Sequence, residues 1–167
     1  MKYPKRKPNR LKGYDYASNG GYFITICTKN KQNLFWTAVG AAISRPEDAP
    51  ALSPYGKITD QAIQAIPCHY PQIEVHKYCV MPNHVHLILL LQEENGGRLI
   101  AAPTVSRVIG QMKRVVSREI GVSIWQKSYH DRIIRDEAEY LKIWNYIDTN
   151  PLKWNEDCYY ECSQAGG

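Results

Sequence analysis

The sequence predicts an α+β fold: a ferredoxin-like βαββαβ sandwich with an antiparallel sheet and one extra C-terminal helix. Three observations predict it. Two β-rich runs, residues 73–80 and 84–91, are separated by a three-residue turn, which favours an antiparallel hairpin. Segments with helical apolar spacing flank that hairpin at 55–66 and 104–120. A last helical pattern, 136–150, follows the final extended segment.

Each element has its own local cause. Residues 22–28, Tyr-Phe-Ile-Thr-Ile-Cys-Thr, are β-branched and aromatic and follow Gly20-Gly21, so they read as a strand. Residues 37–54 are rich in Ala, Pro and Ser with weak periodicity and read as a surface insertion. In the first helix Ile58, Ala62, Ile63, Ala65 and Ile66 form an apolar stripe, and Pro67 is expected to end it. Met81-Pro82-Asn83 makes the hairpin turn, and 93–103 is a polar loop. Thr104 is the expected N-cap of the second helix and Gly121 its stop. Val105, Val108, Ile109, Met112, Val115, Val116 and Ile120 supply its apolar stripe. Residues 125–134 read as extended, and Pro151 stops the last helix.

Composition excludes several classes. With 167 residues, 44% of them hydrophobic and 22% charged, the chain suits one domain with a real core. The longest aliphatic run, 87–91, falls far short of the roughly 20 apolar residues a membrane helix needs. The basic N-terminus has no apolar stretch behind it, so no signal peptide is expected. Cys27, Cys68, Cys79, Cys158 and Cys162 are odd in number and form no CxxC pair, which fits reduced thiols in the cytoplasm.

The net charge of +5 is unevenly placed. Residues 1–12 hold six of the 21 basic groups (Lys2, Lys5, Arg6, Lys7, Arg10 and Lys12) and none of the 16 acids, so the remainder is net −1. We therefore divide the chain into a basic arm (1–13), a folded domain (14–155) and a tail (156–167). Such an arm fits a polyanion-binding segment or a solubilising tail.

The sharpest candidate for chemistry is His84-Val85-His86 on the second hairpin strand. Side chains alternate along a strand, so both imidazoles share one face with Cα atoms about 6.6 Å apart. They can converge on one divalent ion, although HxH on a strand also suits two structural histidines. Val85, Leu87, Leu89 and Leu91 line the opposite face, which marks a buried central strand where polar groups need partners. On the last helix Tyr140, Ile143, Trp144 and Ile147 share the face expected to pack on the sheet. Glu139, Lys142, Tyr146, Thr149 and Asn150 fall on a second, largely polar face. Tyr146 and Asn150 are one turn apart, so a phenol sits one turn from an amide oxygen. Read alone, Tyr146 is an exposed aromatic and Asn150 a helix cap.

In order, Met81-Pro82-Asn83-His84-Val85-His86-Leu87-Ile88-Leu89, Trp125-Gln126 with Tyr129-His130-Asp131-Arg132-Ile133-Ile134-Arg135-Asp136, and Tyr146-Ile147-Asp148-Thr149-Asn150-Pro151 form a set. The set resembles the single-tyrosine HUH transposases, in particular the REP-associated tyrosine transposases, over residues 14–154. The resemblance implies that His84 and His86 bind Mg²⁺ or Mn²⁺, with Val85 in the apolar middle position. It implies that Asn150 completes the metal shell and that Tyr146 is the nucleophile. Tyr146 would then displace a 3′-hydroxyl of single-stranded DNA and become joined to the 5′-phosphate.

The same resemblance turns the basic features into expected DNA contacts: Lys5, Arg6, Lys7, Arg10 and Lys12 in the arm, and Arg107, Arg114 and Arg118 on the second helix. Arg132 and Arg135 are expected either near the scissile phosphate or paired with Asp131 and Asp136. Hairpin or single-stranded DNA is the implied partner, with a monomer or a homodimer as the acting unit. The competing readings are a hairpin-DNA-binding module without turnover and an RNA-binding domain. The RNA reading is weakened because His84 and His86 stand on the central strand where an aromatic pair would be needed.

Overall fold

Alternation of side chains on β1 (Gly20–Cys27) sends Tyr22, Ile24 and Ile26 to one face of the sheet and Phe23, Thr25 and Cys27 to the other. The computed structural model describes residues 20–39, 48–92 and 104–156. The arm, the middle of the 37–54 insertion, the 93–103 loop and residues 157–167 lie outside the described residues.

After β1 the chain makes a short 3₁₀ turn (Lys29–Lys31), then α1 (Pro54–Gln64) and α2 (Ile66–His69). The hairpin β2 (Ile73–Val80) and β3 (His84–Leu91) follows, then α3 (Val105–Ile120), β4 (His130–Ile134), α4 (Glu137–Thr149) and a 3₁₀ segment (Asn150–Glu156). The four strands form one sheet in the order β2-β3-β1-β4, every neighbouring pair antiparallel. This is the predicted βαββαβ sandwich, and α4 is its extra C-terminal helix.

The caps follow the sequence. Ser53 caps α1, and its Oγ accepts from the Gly56 N–H. A side chain at Gly56 would put Cβ 2.2 Å from the Phe35 carbonyl oxygen, so only glycine lets α1 approach this loop. Thr104 caps α3, and Gly121 closes it at φ 89°, a left-handed conformation that glycine adopts freely. The ends of the insertion are tied by a bridge between Trp36 and Leu52.

Two expectations shift at their edges. Pro67 does not end the first helix: α1 stops at Gln64, and Pro67 lies in the opening turn of α2, where its missing N–H is not needed. The extended stretch 125–134 pairs as a strand only from His130. Before that, Trp125 makes a single bridge to Thr28, while the carbonyls of Gln126 and Ser128 accept from the Lys113 ammonium of α3.

The sheet separates two cores. Tyr22, Ile24, Ile26, Val85, Leu87 and Leu89 meet the buried stripe of α3 and Ile63 of α1. On the opposite face Ile88 packs with Ile143 and Ile147 of α4. No helix among the described residues is long and apolar enough to cross a membrane.

Candidate active site

Strand alternation puts His84, His86 and Ile88 on the face covered by α4, opposite Val85, Leu87 and Leu89. Register then supplies their neighbours. His84 pairs across with Cys27, and His86 stands between Thr25 on β1 and Cys79 on β2. Both imidazoles are buried, at 0% and 2% exposure, a depth at which polar groups must find partners.

The partners are specific. An Asn83 side-chain N–H donates to the Lys31 carbonyl at 3.3 Å, which turns the amide oxygen toward His84 Nδ1 at 2.8 Å. An amide oxygen only accepts, so His84 Nδ1 carries the proton and Nε2 is left as an acceptor. Thr25 Oγ1 lies 2.8 Å from His86 Nδ1. The two Nε2 atoms face each other at 3.0 Å. Burial pushes both pKa values down: His84 falls well below the usual histidine range, with the neighbouring His86 adding to the effect, and His86 falls to about 3. Both rings are therefore neutral at pH 7, the form that binds metal ions.

A capping arrangement aims α4 at this pair. The Asp136 carboxylate accepts from the Glu139 N–H, and the Glu139 carboxylate accepts from the Arg135 N–H. Glu139 also pairs with Arg132 at 2.5 Å. Further along, Lys77 of β2 pairs with Asp148 and lies 5.0 Å over the Trp144 ring. His76 Nδ1 meets the Tyr140 hydroxyl at 2.9 Å. So anchored, the helix carries Tyr146 over the histidines. Its hydroxyl is 3.4 Å from His86 Nε2, and the Phe23 ring braces it edge-on. Tyr146 remains 43% exposed, open to an incoming strand.

Asn150 corrects one expectation. It does not share an exposed polar face with Tyr146 but is buried to 3% exposure. The reason is helical arithmetic: Asn150 is three residues beyond Ile147 and seven beyond Ile143, both buried, so it continues their stripe. It also forms the C-cap of α4. Its Oδ1 is buried and has no hydrogen-bond partner, a state that costs about 1–3 kcal/mol. The 3₁₀ segment it heads reaches the histidines, because Trp154 stacks 5.9 Å from the His84 ring.

Two imidazole nitrogens and an orphaned amide oxygen are hard-to-borderline donors, which fits Mg²⁺ or Mn²⁺ and also Zn²⁺. Among the described residues no cluster of three or more His, Cys, Asp or Glu side chains gathers, so any third protein donor here must be of another type. Asn150 is of that type.

The expected DNA-binding residues are spread out. Arg132 pairs with Glu139 rather than with Asp131 or Asp136, and Arg135 is exposed. Arg107, Arg114 and Arg118 are exposed on α3, the layer across the sheet from Tyr146. Lys5, Arg6, Lys7, Arg10 and Lys12 lie outside the described residues. Sequence reading missed Thr25, Asn83, Phe23 and Trp154, all of which touch the site through register or packing.

No family model matches the chain. A Haemophilus influenzae protein without a functional name is 33% identical over 175 residues, covering 93% of each chain. A second protein of that organism, provisionally named a REP-associated tyrosine transposase, is 25% identical over 150 residues, covering 83% of this chain and 74% of its own. In sequence the chain is thus similar to a REP-associated tyrosine transposase. Its fold agrees. It is similar, with a TM-score of 0.59 and 20% identity, to a solved REP-associated tyrosine transposase bound to a REP hairpin, over 87% of this chain and 74% of that one.

Proposed function

We propose that the protein cleaves single-stranded DNA beside a hairpin and transfers the cut strand through a 5′-phosphotyrosine intermediate on Tyr146. The observation that carries this reading is Tyr146, 43% exposed yet with its hydroxyl 3.4 Å from Nε2 of His86 in a buried, neutral histidine pair. The phenolic oxygen attacks the scissile phosphorus, the bond from phosphorus to the 3′-oxygen breaks, and the phenolic proton ends on the 3′-hydroxyl. The phosphotyrosine keeps the bond energy, so a second 3′-hydroxyl reverses the step and joins strands without a nucleotide cofactor.

His84 Nε2, His86 Nε2 and Asn150 Oδ1 would hold a Mg²⁺ or Mn²⁺ ion. When bound, that ion supplies Lewis-acid neutralisation of the phosphate, which an unassisted phenol of pKa about 10 needs at pH 7. The chain's own residues do the positioning. Phe23 and the packed face of α4 fix the phenol, and Asn83 fixes the His84 ring. The REP hairpin bound by the solved protein of similar fold supports a hairpin partner, and the basic arm with Arg107, Arg114 and Arg118 would hold DNA backbone away from the cut. A cytoplasmic setting belongs to the same reading.

The test uses hairpin-containing single strands labelled at either end, with Mg²⁺ or Mn²⁺. Wild type is expected to capture the 3′-labelled fragment covalently, and Tyr146→Phe to capture none. Tight hairpin binding with no adduct under any condition would replace the enzyme with a binding module.

A further inference from the structure

His130 shares the face of the sheet that holds the histidine pair. It opens β4 and pairs across with Thr25, which on its other side pairs with His86 of β3. Residues opposite each other in a sheet point the same way, so His86, Thr25 and His130 stand in one row. Strands lie about 4.8 Å apart, which puts the Cα atoms of His86 and His130 about 10 Å apart. The adjoining row on this face is Ile88, Phe23 and Arg132. Tyr146 stands over both rows, its ring 5.3 Å from that of His86 and 6.1 Å from that of Phe23. His130 is exposed, yet its backbone is fixed: Tyr129 before it is buried, and the Ser128 carbonyl accepts from the Lys113 ammonium.

In-line displacement leaves the departing 3′-oxygen across phosphorus from the attacking phenol. The phenolic proton cannot pass straight to it, and an unprotonated alkoxide leaves slowly, so a donor is needed on the far side. The other candidates on this face fit badly. Arg132 keeps its proton at any working pH, and Lys77 and Cys79 lie on β2, at the opposite edge of the sheet. His84 and His86 are taken as ligands, and Asp131 pairs with Ile24 and so points to the other layer. An imidazole both gives and takes a proton near neutral pH.

We propose that His130 is a further catalytic residue of the cleavage step, the proton donor to the departing 3′-oxygen. The proposal rests on the reading of Tyr146 as the nucleophile. The phenol loses its proton to water as its oxygen bonds to phosphorus. The bond from phosphorus to the 3′-oxygen breaks, and the electron pair left on that oxygen takes the proton of the His130 imidazolium. The imidazole recovers a proton from water, so the net transfer runs from phenol to 3′-hydroxyl. In strand joining the neutral imidazole accepts the proton of the incoming 3′-hydroxyl.

A strand with sulfur in place of the bridging 3′-oxygen at the cleavage position tests this on the full chain with Mn²⁺. A thiol ionises at a pH of about 8.5, so the sulfur departs as a thiolate without a donor. On the oxygen strand, at saturating DNA, His130→Ala should form the covalent adduct about 100-fold or more slowly than wild type. On the sulfur strand it should keep pace with wild type, and His130→Gln, which retains the bulk of the side chain, should behave alike. Equal slowing of both variants on both strands would overturn the proposal, because His130 would then only hold DNA or the fold. Unimpaired cleavage of the oxygen strand by either variant would overturn it as well. Failure of wild type to form an adduct with either strand would overturn the reading of Tyr146 and this proposal with it.

Discussion

The two faces of one sheet have been put to opposite uses. Beneath α1 and α3 lie Tyr22, Ile24, Ile26, Val85, Leu87 and Leu89, fully buried and wholly packing. One residue along each strand, beneath α4, lie Phe23, Thr25, His84, His86 and Ile88, where Ile88 forms a small apolar cluster with Ile143 and Ile147 and Phe23 packs against it. The same backbone thus carries a face that stabilises and a face that spends burial on neutral imidazoles and an unpartnered amide. The lesson is that the first face supplies the rigidity that lets the second hold polar groups in one geometry.

Five substitutions or conditions can break this division, from the largest effect down. Tyr146→Phe should remove all covalent capture of DNA on a denaturing gel while changing stability by no more than about 0.5 kcal/mol, since the side chain is 43% exposed and its hydroxyl contact to His86 is long, at 3.4 Å. Leu87→Ala should do the reverse, costing about 2–5 kcal/mol in urea unfolding with the folded fraction still able to cleave.

Acid should act through the site face. Both histidines have folded pKa values below the unfolded 6.5, so the unfolded chain binds more protons once the pH drops below about 6.5. Stability should be flat above that pH and decline between about 6.5 and 3, by up to about 1.4 kcal/mol per pH unit for each ring. Replacing both with Gln should shallow that decline in urea midpoints measured against pH.

Asn150→Leu should raise stability by about 1 kcal/mol, because the orphaned Oδ1 is removed, while weakening Mn²⁺ binding. A loss of stability instead would show that the amide is satisfied in the folded protein. Smallest of all, Arg114→Ala with Arg118→Ala should leave cleavage of saturating DNA unchanged. It should lower the slope of binding against salt by about one counterion per arginine that meets a phosphate.

Much of this was legible beforehand, and what was not has a physical cause. The succession of strands and helices and the shared face of His84 and His86 follow from β-branching and apolar periodicity, which are local. The burial of Asn150 was recoverable from its spacing to Ile143 and Ile147, but its polarity and its i+4 relation to Tyr146 argued for the other face. Thr25 and Cys79 could not be connected to the histidines from sequence, because cross-strand register is set only when the whole sheet assembles. Arg132 was open to several acids within reach, and its choice of Glu139 depends on how α4 folds back from β4.

The central claim is that the phenol of Tyr146 forms the bond to DNA above the histidine pair. Mass spectrometry of the trapped protein–DNA adduct, after protease and nuclease digestion, tests it most directly. The account predicts a single modified peptide carrying a 5′-phosphorylated nucleotide remnant on Tyr146. A remnant on any other residue, or an adduct that persists in Tyr146→Phe, would contradict it.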